Sequence, residues 1–262
     1  MGGCLRANGS SPMTTWSSVL EVPALGQDEI QVWRINLAQD IAGEDWLNHC
    51  LSAEEREQAG RFHFAHDRRR FVVRRAILRH LLAARLGVSP DAVRFLPGPY
   101  GKPIIPGQDG SAGLRFSCSH SADLGLIAIA RGRELGVDLE QHRSLADAGD
   151  LARAFFSPLE IAELMSVPHA LKTRSFFDGW ARKEAFIKAI GLGLSFPLHR
   201  FAVSLAPDQP AALLRVEDDP GAVDRWTMLS LDITPDYSAA LVFESKGANV
   251  LCLEWNSALR AA

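Results

Sequence analysis

Residues 177–194, FDGWARKEAFIKAIGLGL, read as the last turns of a helix running into a glycine stop. A 100° step per residue gathers Phe176, Trp180 and Ile187 into one stripe, with Glu184 at its edge and Lys188 just beyond. Lys183 falls inside the stripe, between Phe176 and Ile190. A surface i,i+4 pair of Glu184 and Lys188 is worth only about 0.3 to 0.5 kcal/mol and does not explain why charge sits beside an apolar face. The edge of this helix is expected to border a cleft.

Working outward, RRAILRHLLAARLG (74–87) places Ala76 opposite Ala185 in a second helix of the same design. Other elements recur in the same order. IQVWRINL (30–37) and LGVDLEQ (135–141) alternate as strands, and LSAEEREQAGRF and FSPLEIAELMSV each open a helix with a serine cap and a glutamate three residues on. AVRFL and RFAVSL follow the two helices as strand candidates, then LGLIAIA and SAALVFE. Duplication is the simplest account. The expected fold is α+β and pseudo-dimeric: two similar halves, each a long helix packed on a small antiparallel sheet. Residues 17–131 form one half, 132–262 the other, and 1–16 a flexible leader. Neither half alone buries much core, so they are expected to face each other with the binding cleft between them.

With 262 residues, 47% of them hydrophobic, the chain can supply such a core, and a net charge of -3 requires any polyanion to be met by a local basic cluster. The four scattered cysteines offer neither a zinc site nor a disulfide framework, which suits a cytoplasmic protein. No apolar run is long enough to span a bilayer, and Arg6 spoils the myristoylation pattern of MGGCLR. No membrane partner is expected.

In GVDLE the strand period sends Asp138 and Glu140 to one face and Val137 and Leu139 to the other. A solvated strand face would carry such a pair, but two adjacent carboxylates also suit Mg²⁺, which takes one or two of them and completes its shell with phosphate and water. Glu184 could add a third. In FAHDRRRFVVRRAILRHLLAARLG, the six arginines from Arg68 to Arg79 fall within little over three turns. Arg68, Arg75 and Arg79 form one stripe, whereas Arg70 and Arg74 point toward the side of Phe71, Leu78 and Leu81, where a guanidinium needs an anion. The absence of interleaved aromatics argues against nucleic acid. GPYGKPII fixes Lys102 in a turn, and LRFSCSHS runs as a strand to Ser117 before presenting Ser119, His120 and Ser121.

GKP, SCSHS, GVDLE and WARKEAFIK, in this order, resemble the 4'-phosphopantetheinyl transferases of the Sfp-like type, in the W-x-x-K-E-A variant, over roughly residues 50–205. The resemblance implies coenzyme A bound between the halves. It also implies transfer of the phosphopantetheine arm to a serine of an apo acyl or peptidyl carrier protein, releasing adenosine 3',5'-bisphosphate. By motif, Asp138, Glu140 and Glu184 are the Mg²⁺ ligands, and Lys188 meets the pyrophosphate. Ser119 and His120 meet the 3'-phosphate side, Lys102 and Pro103 the adenine end. Arg70 and Arg75 meet phosphate from the first half, and Lys183 reaches toward the cofactor. Asp138, Glu184 and Lys188 are the expected catalytic set, with Glu184 or a metal-bound water taking the serine proton. Glu55 and Gln58 stand where some relatives carry phosphate-binding lysines, which throws the grip onto Arg61, Arg70, Arg74 or Arg75. A monomer is expected. The rival reading is a non-catalytic module that binds coenzyme A or a nucleotide.

Overall fold

Strands with apolar residues on both faces build the centre of the molecule. In β3 (Glu29–Asn36), Ile30 and Val32 bury one face while Trp33 and Ile35 bury the other, a pattern that only a strand covered on both sides can satisfy. The computed structural model describes residues 4–5, 14–38, 43–108, 112–144, 148–207, 209–245 and 247–261. Before β3 come the two-residue pieces β1 (Cys4–Leu5) and β2 (Ser17–Ser18). After it run α1 (Glu44–Cys50), α2 (Ala53–Gly60) and the 22-residue α3 (Ala65–Leu86). A ribbon of β4 (Leu96–Pro97) and β5 (Pro103–Ile104) leads into β6 (Leu114–Ser121) and β7 (Leu124–Arg131).

The second set of elements follows the same order. It comprises β8 (Leu135–Gln141), α4 (Ala148–Phe155), α5 (Pro158–Ser166) and a second 22-residue helix, α6 (His169–Ile190). The short ribbon of β9 (Phe201–Val203) and β10 (Leu213–Val216) comes next, then α7 (Ala222–Arg225), β11 (Trp226–Ser230), β12 (Tyr237–Glu244) and β13 (Asn249–Glu254). The spatial order β3-β7-β6 in one sheet is matched by β8-β12-β11 in the other, all antiparallel. α2 and α5 each open on the serine–glutamate capping box expected from sequence, Ser52 with Glu55 and Ser157 with Glu160.

The layers are α3, first sheet, second sheet, α6. Ile127 and Ile129 of β7 face α3, whereas Leu126, Ala128 and Ala130 meet Val137, Leu139, Leu241 and Phe243 between the sheets. Phe186 and Ile187 of α6 pack on Val242 and Met228 from outside. Glycine sets how closely α6 approaches: a Cβ on Gly136 would overlap Ala185 O and Ala189 N, so only glycine lets the helix rest on β8.

Three features go beyond the sequence reading. From the stretch expected as the second half, 132–262, β13 crosses to the sheet of the first, 17–131: it pairs in parallel with β3 and places Leu253, Trp255 and Leu259 in the core under α3. AVRFL (92–96) begins on the last residue of a 3-10 turn at Pro90–Ala92 and forms strand only at Leu96–Pro97, since the chain turns at Gly98 to pair with Pro103 and Ile104 instead of joining the sheet. The leader expected at 1–16 lies largely outside the described residues. Where it is described, Cys4–Leu5 pairs with β13 and Trp16 Nε1 donates to Asp232 O at 2.6 Å.

Candidate active site

Asp138 projects from β8 toward α6 and is 3% exposed. Its Oδ1 accepts from Lys188 Nζ at 2.5 Å and from Ser119 Oγ at 2.7 Å, so one oxygen gathers groups from three elements. Its Oδ2 is buried without a partner. Lys188 Nζ also reaches Ser119 Oγ at 3.1 Å and Val137 O at 3.4 Å. Burial, the Asp138 charge and, more weakly, Glu184 push the Glu140 carboxyl up to about 7, against the pull of Lys188 and Arg143. Burial and Asp138 raise Glu184 as well, with Lys188 opposing. The three carboxylates thus crowd one electrostatic environment in which a single ammonium is the nearest compensation.

Among the described residues, no three His, Cys, Asp or Glu side chains stand close enough in this arrangement to hold a metal ion. The charges nevertheless suit a divalent cation, which would relieve the unpartnered Asp138 Oδ2 and the raised affinity of both glutamates for protons. Lys188 occupies Oδ1, leaving Oδ2 as the oxygen open to such an ion.

Beside this cluster lies a cavity of about 380 Å³, lined among others by Arg74, Arg75, Tyr100, Lys102, Cys118 and Lys188. Both halves contribute: α3, β6 and the β4–β5 turn from one, the end of α6 from the other. Arg74 Nη1 meets His120 Nδ1 at 2.9 Å while its Nε is buried without a partner. Burial, then Arg74, Lys188 and Arg70, hold His120 down to about 4, so the imidazole is neutral at pH 7. Lys102 Nζ is anchored on Glu134 Oε2 at 3.0 Å and Leu135 O at 3.1 Å, tying the turn to the second half, with Pro103 beside it in the wall. Burial pushes the Cys118 thiol up to about 11, which leaves it protonated near neutrality.

The structure brings Asp138, Ser119 and Lys188 into direct contact, joins Glu140 and Glu184 to them electrostatically, and sets Arg75, Lys102 and Pro103 in the adjoining wall. Arg70 stands outside that wall, bonded to Asp123 Oδ1 at 2.7 Å. Lys183 is a correction: it is fully buried under α6, its Nζ donating to both oxygens of Glu160 at 2.7 Å and to Phe201 O at 2.8 Å, and it cannot reach a cofactor. Arg79 is likewise no surface residue. It is buried on Glu55 and on the carbonyls of Pro90 and Val93, and Arg75 shares the same glutamate. Glu55 therefore serves the fold. Arg61 is exposed and paired with Glu57. Tyr100, Phe116 and Cys118 of the wall were not singled out from sequence, because nothing in their spacing separates a cavity-facing residue from an ordinary strand or turn residue.

Residues 134–242 match the family profile described as the 4'-phosphopantetheinyl transferase superfamily, and residues 42–131 the profile described as 4'-phosphopantetheinyl transferase, N-terminal. The 4'-phosphopantetheinyl transferase HetI of Nostoc sp. is 40% identical over 217 residues, covering 83% of this chain and 88% of that protein. The chain belongs to the 4'-phosphopantetheinyl transferase superfamily. The superfamily member Sfp of Bacillus subtilis is 30% identical over 182 residues, or 65% of this chain and 79% of Sfp. Among solved structures, the holo-[acyl-carrier-protein] synthase of Thermotoga maritima aligns with 43% of this chain and 63% of its own, at 22% identity and a TM-score of 0.35. The carboxylates and Lys188 fall inside the superfamily match, and the arginines, Lys102, Ser119 and His120 inside the N-terminal match.

Proposed function

We propose that this protein transfers the 4'-phosphopantetheine arm of coenzyme A to a serine hydroxyl of an apo acyl or peptidyl carrier protein. The products are the holo carrier and adenosine 3',5'-bisphosphate, and the reaction depends on Mg²⁺. The observation that carries this reading is the contact of Asp138 with Lys188 and Ser119, in a charge environment shared with Glu184, at the rim of a cavity walled by Arg74, Arg75 and Lys102. Acidic groups from one half face basic groups from the other, as a bound pyrophosphate and its cation require. The matched strand order and the paired capping boxes support the view that the halves, 17–131 and 132–262, are a pseudo-dimer sharing one site. We take the protein to act as a monomer in the cytoplasm.

The ion would be held by Asp138 through Oδ2, with Glu140 and Glu184, and when bound it would neutralise charge growing on the pyrophosphate oxygens. Lys188 adds a second positive charge beside those oxygens, in a setting where such stabilisation is worth several kcal/mol, on the order of 3. Arg74 and Arg75 offer guanidinium forks to phosphate, and neutral His120 with Arg74 extends that grip. Lys102 and Pro103 close the adenine end. The incoming serine oxygen bonds to the β-phosphorus as the bond to the bridging oxygen breaks, and its proton must leave. Either Glu184 or a water beside it takes the proton, and the part of Glu184 in holding the ion favours the water.

Intact-mass measurement of an apo carrier incubated with the protein, coenzyme A and Mg²⁺ should show one added phosphopantetheine. An unchanged mass across fatty-acid, polyketide and peptide-synthetase carriers, with coenzyme A still bound, would leave the rival reading of a non-catalytic coenzyme A module.

A further inference from the structure

β6 and β8 lie side by side at the rim of the site, in different sheets, with no backbone ladder between them. Hydroxyls join them instead. Ser117 Oγ accepts from Val137 N at 3.1 Å, and Ser121 Oγ accepts from Gln141 N at 3.0 Å. Each pair is separated by 20 residues, so the two strands run parallel in one fixed register. Ser119, midway between them and on the same side of β6 by the strand period, has its Oγ on Asp138 Oδ1. Val137 precedes Asp138 and Gln141 follows Glu140, so the two outer bonds bracket the carboxylate pair.

We infer that Ser117 and Ser121 are positioning residues: a two-point hydroxyl clasp that fixes the acidic strand β8 against the cavity wall β6. The inference rests on the transferase reading for its catalytic meaning. On its other edge β8 is held by the ladder to β12, which moves with the second half and sets nothing about the first. The phosphate-gripping arginines ride on α3 in the first half. Lys102 on Leu135 and the packing between the sheets hold the two sides together, and where β6 meets β8 the register of Asp138 against those arginines is fixed, because a serine side chain, the shortest that carries a hydroxyl, spans one strand separation only. A slip of β8 by a fraction of a residue would leave both halves folded and still part the metal-binding groups from the phosphates they act on.

The test compares Ser117→Ala, Ser121→Ala and the double variant with the full-length wild-type chain, and adds Ser121→Thr, which keeps the hydroxyl. Backbone hydrogen exchange should quicken at Val137 and Gln141 in the double variant, by about 10-fold or more, with α6 unchanged. kcat for carrier modification should fall by about 10- to 100-fold, the KM for coenzyme A should stay within about two-fold, and Ser121→Thr should recover most of the loss at that position. Unchanged exchange at both amides would overturn the clasp, whatever reaction the protein performs. Faster exchange with unaltered kcat would overturn its positioning role. Faster exchange in a protein whose wild type modifies no carrier would uphold the clasp and count against the transferase reading alone.

Discussion

β3 turns Trp33 and Ile35 toward α3, whereas β8 turns Asp138 and Glu140 toward α6. The two strands occupy matching places in sheets of the same order, and their opposite faces are alike: Ile30 and Val32 in one, Leu135, Val137 and Leu139 in the other, all packed between the sheets. Where the first half buries an indole at 0% exposure, the second buries a carboxylate at 3%. The long helices differ as well. Arg75 and Arg79, which stand opposite Glu184 and Lys188 when Ala76 is set against Ala185, are tied to Glu55, with Arg75 also in the cavity wall, while Lys188 lines that wall on Asp138 and Glu184 shares their charge environment. The same order of elements thus carries a core strand in one place and a cluster of charge in the other.

The largest expected effect tests that division directly. Asp138→Ala should lower kcat by about 10³-fold, yet cost no more than about 1 kcal/mol in urea unfolding, because the Lys188 side chain it strands is 30% exposed and can turn to solvent, while a buried oxygen without a partner is removed. Trp33→Ala should do the reverse, costing about 3 to 5 kcal/mol of stability while activity per folded molecule stays within a few fold. If Asp138→Ala unfolds the protein instead, the carboxylate belongs to the fold and the contrast between the strands fails.

The buried ion pairs sharpen the comparison from the other side, because here the halves agree. Each capping-box glutamate clamps a cation of its long helix, Glu55 holding Arg79 and Glu160 holding Lys183. Each cation also donates to carbonyls of the segment that follows the helix. Removing one partner of such a pair leaves an uncompensated charge, so Arg79→Met and Lys183→Met should each lose about 3 to 5 kcal/mol in urea unfolding. The KM for coenzyme A should hardly move in either. A Lys183→Met protein of normal stability with a raised KM would return Lys183 to the ligand.

The case of Lys183 shows where sequence stops being legible. Periodicity places it correctly, inside the stripe with Phe176 and Ile190, but periodicity does not say whether a stripe faces core or cleft, and its partner Glu160 lies 23 residues away. Asp138, Glu140, Glu184 and Lys188 were readable because strand period and helix edge oblige them to a side. The repeated order of elements was readable from capping boxes and alternation. The return of β13 to the first sheet was not, since a C-terminal strand can pair on either edge with the same pattern of apolar residues. Nor was the serine clasp, because a hydroxyl bonded across two sheets leaves no trace in spacing.

The smallest expected effect is one of pH, and it falls unevenly on the two halves. His80 on α3 is buried between Trp46 and Trp255, at 5.5 and 5.4 Å, with its Nε2 unpartnered. Burial holds its pKa below the usual value and Arg85 adds to this, against a bond with the Leu259 backbone. The place matching His80 on α6 is Ala189, which does not titrate. His142 in the second half is also held low by burial, but Asp178 and Asp236 face it and favour its proton. An imidazole depressed in the folded state gives stability that is fully present above its unfolded pKa, near 6.5, and is lost as pH falls through the folded value. Unfolding free energy in urea should therefore decline below about pH 6.5, by at most about 1.4 kcal/mol per pH unit for this one proton. His80→Leu should flatten that decline, and hydrogen exchange at acid pH should rise in α3 before α6. An acid slope that His80→Leu leaves unaltered would assign the loss to the other depressed imidazoles, His120 in the first half and His142 in the second.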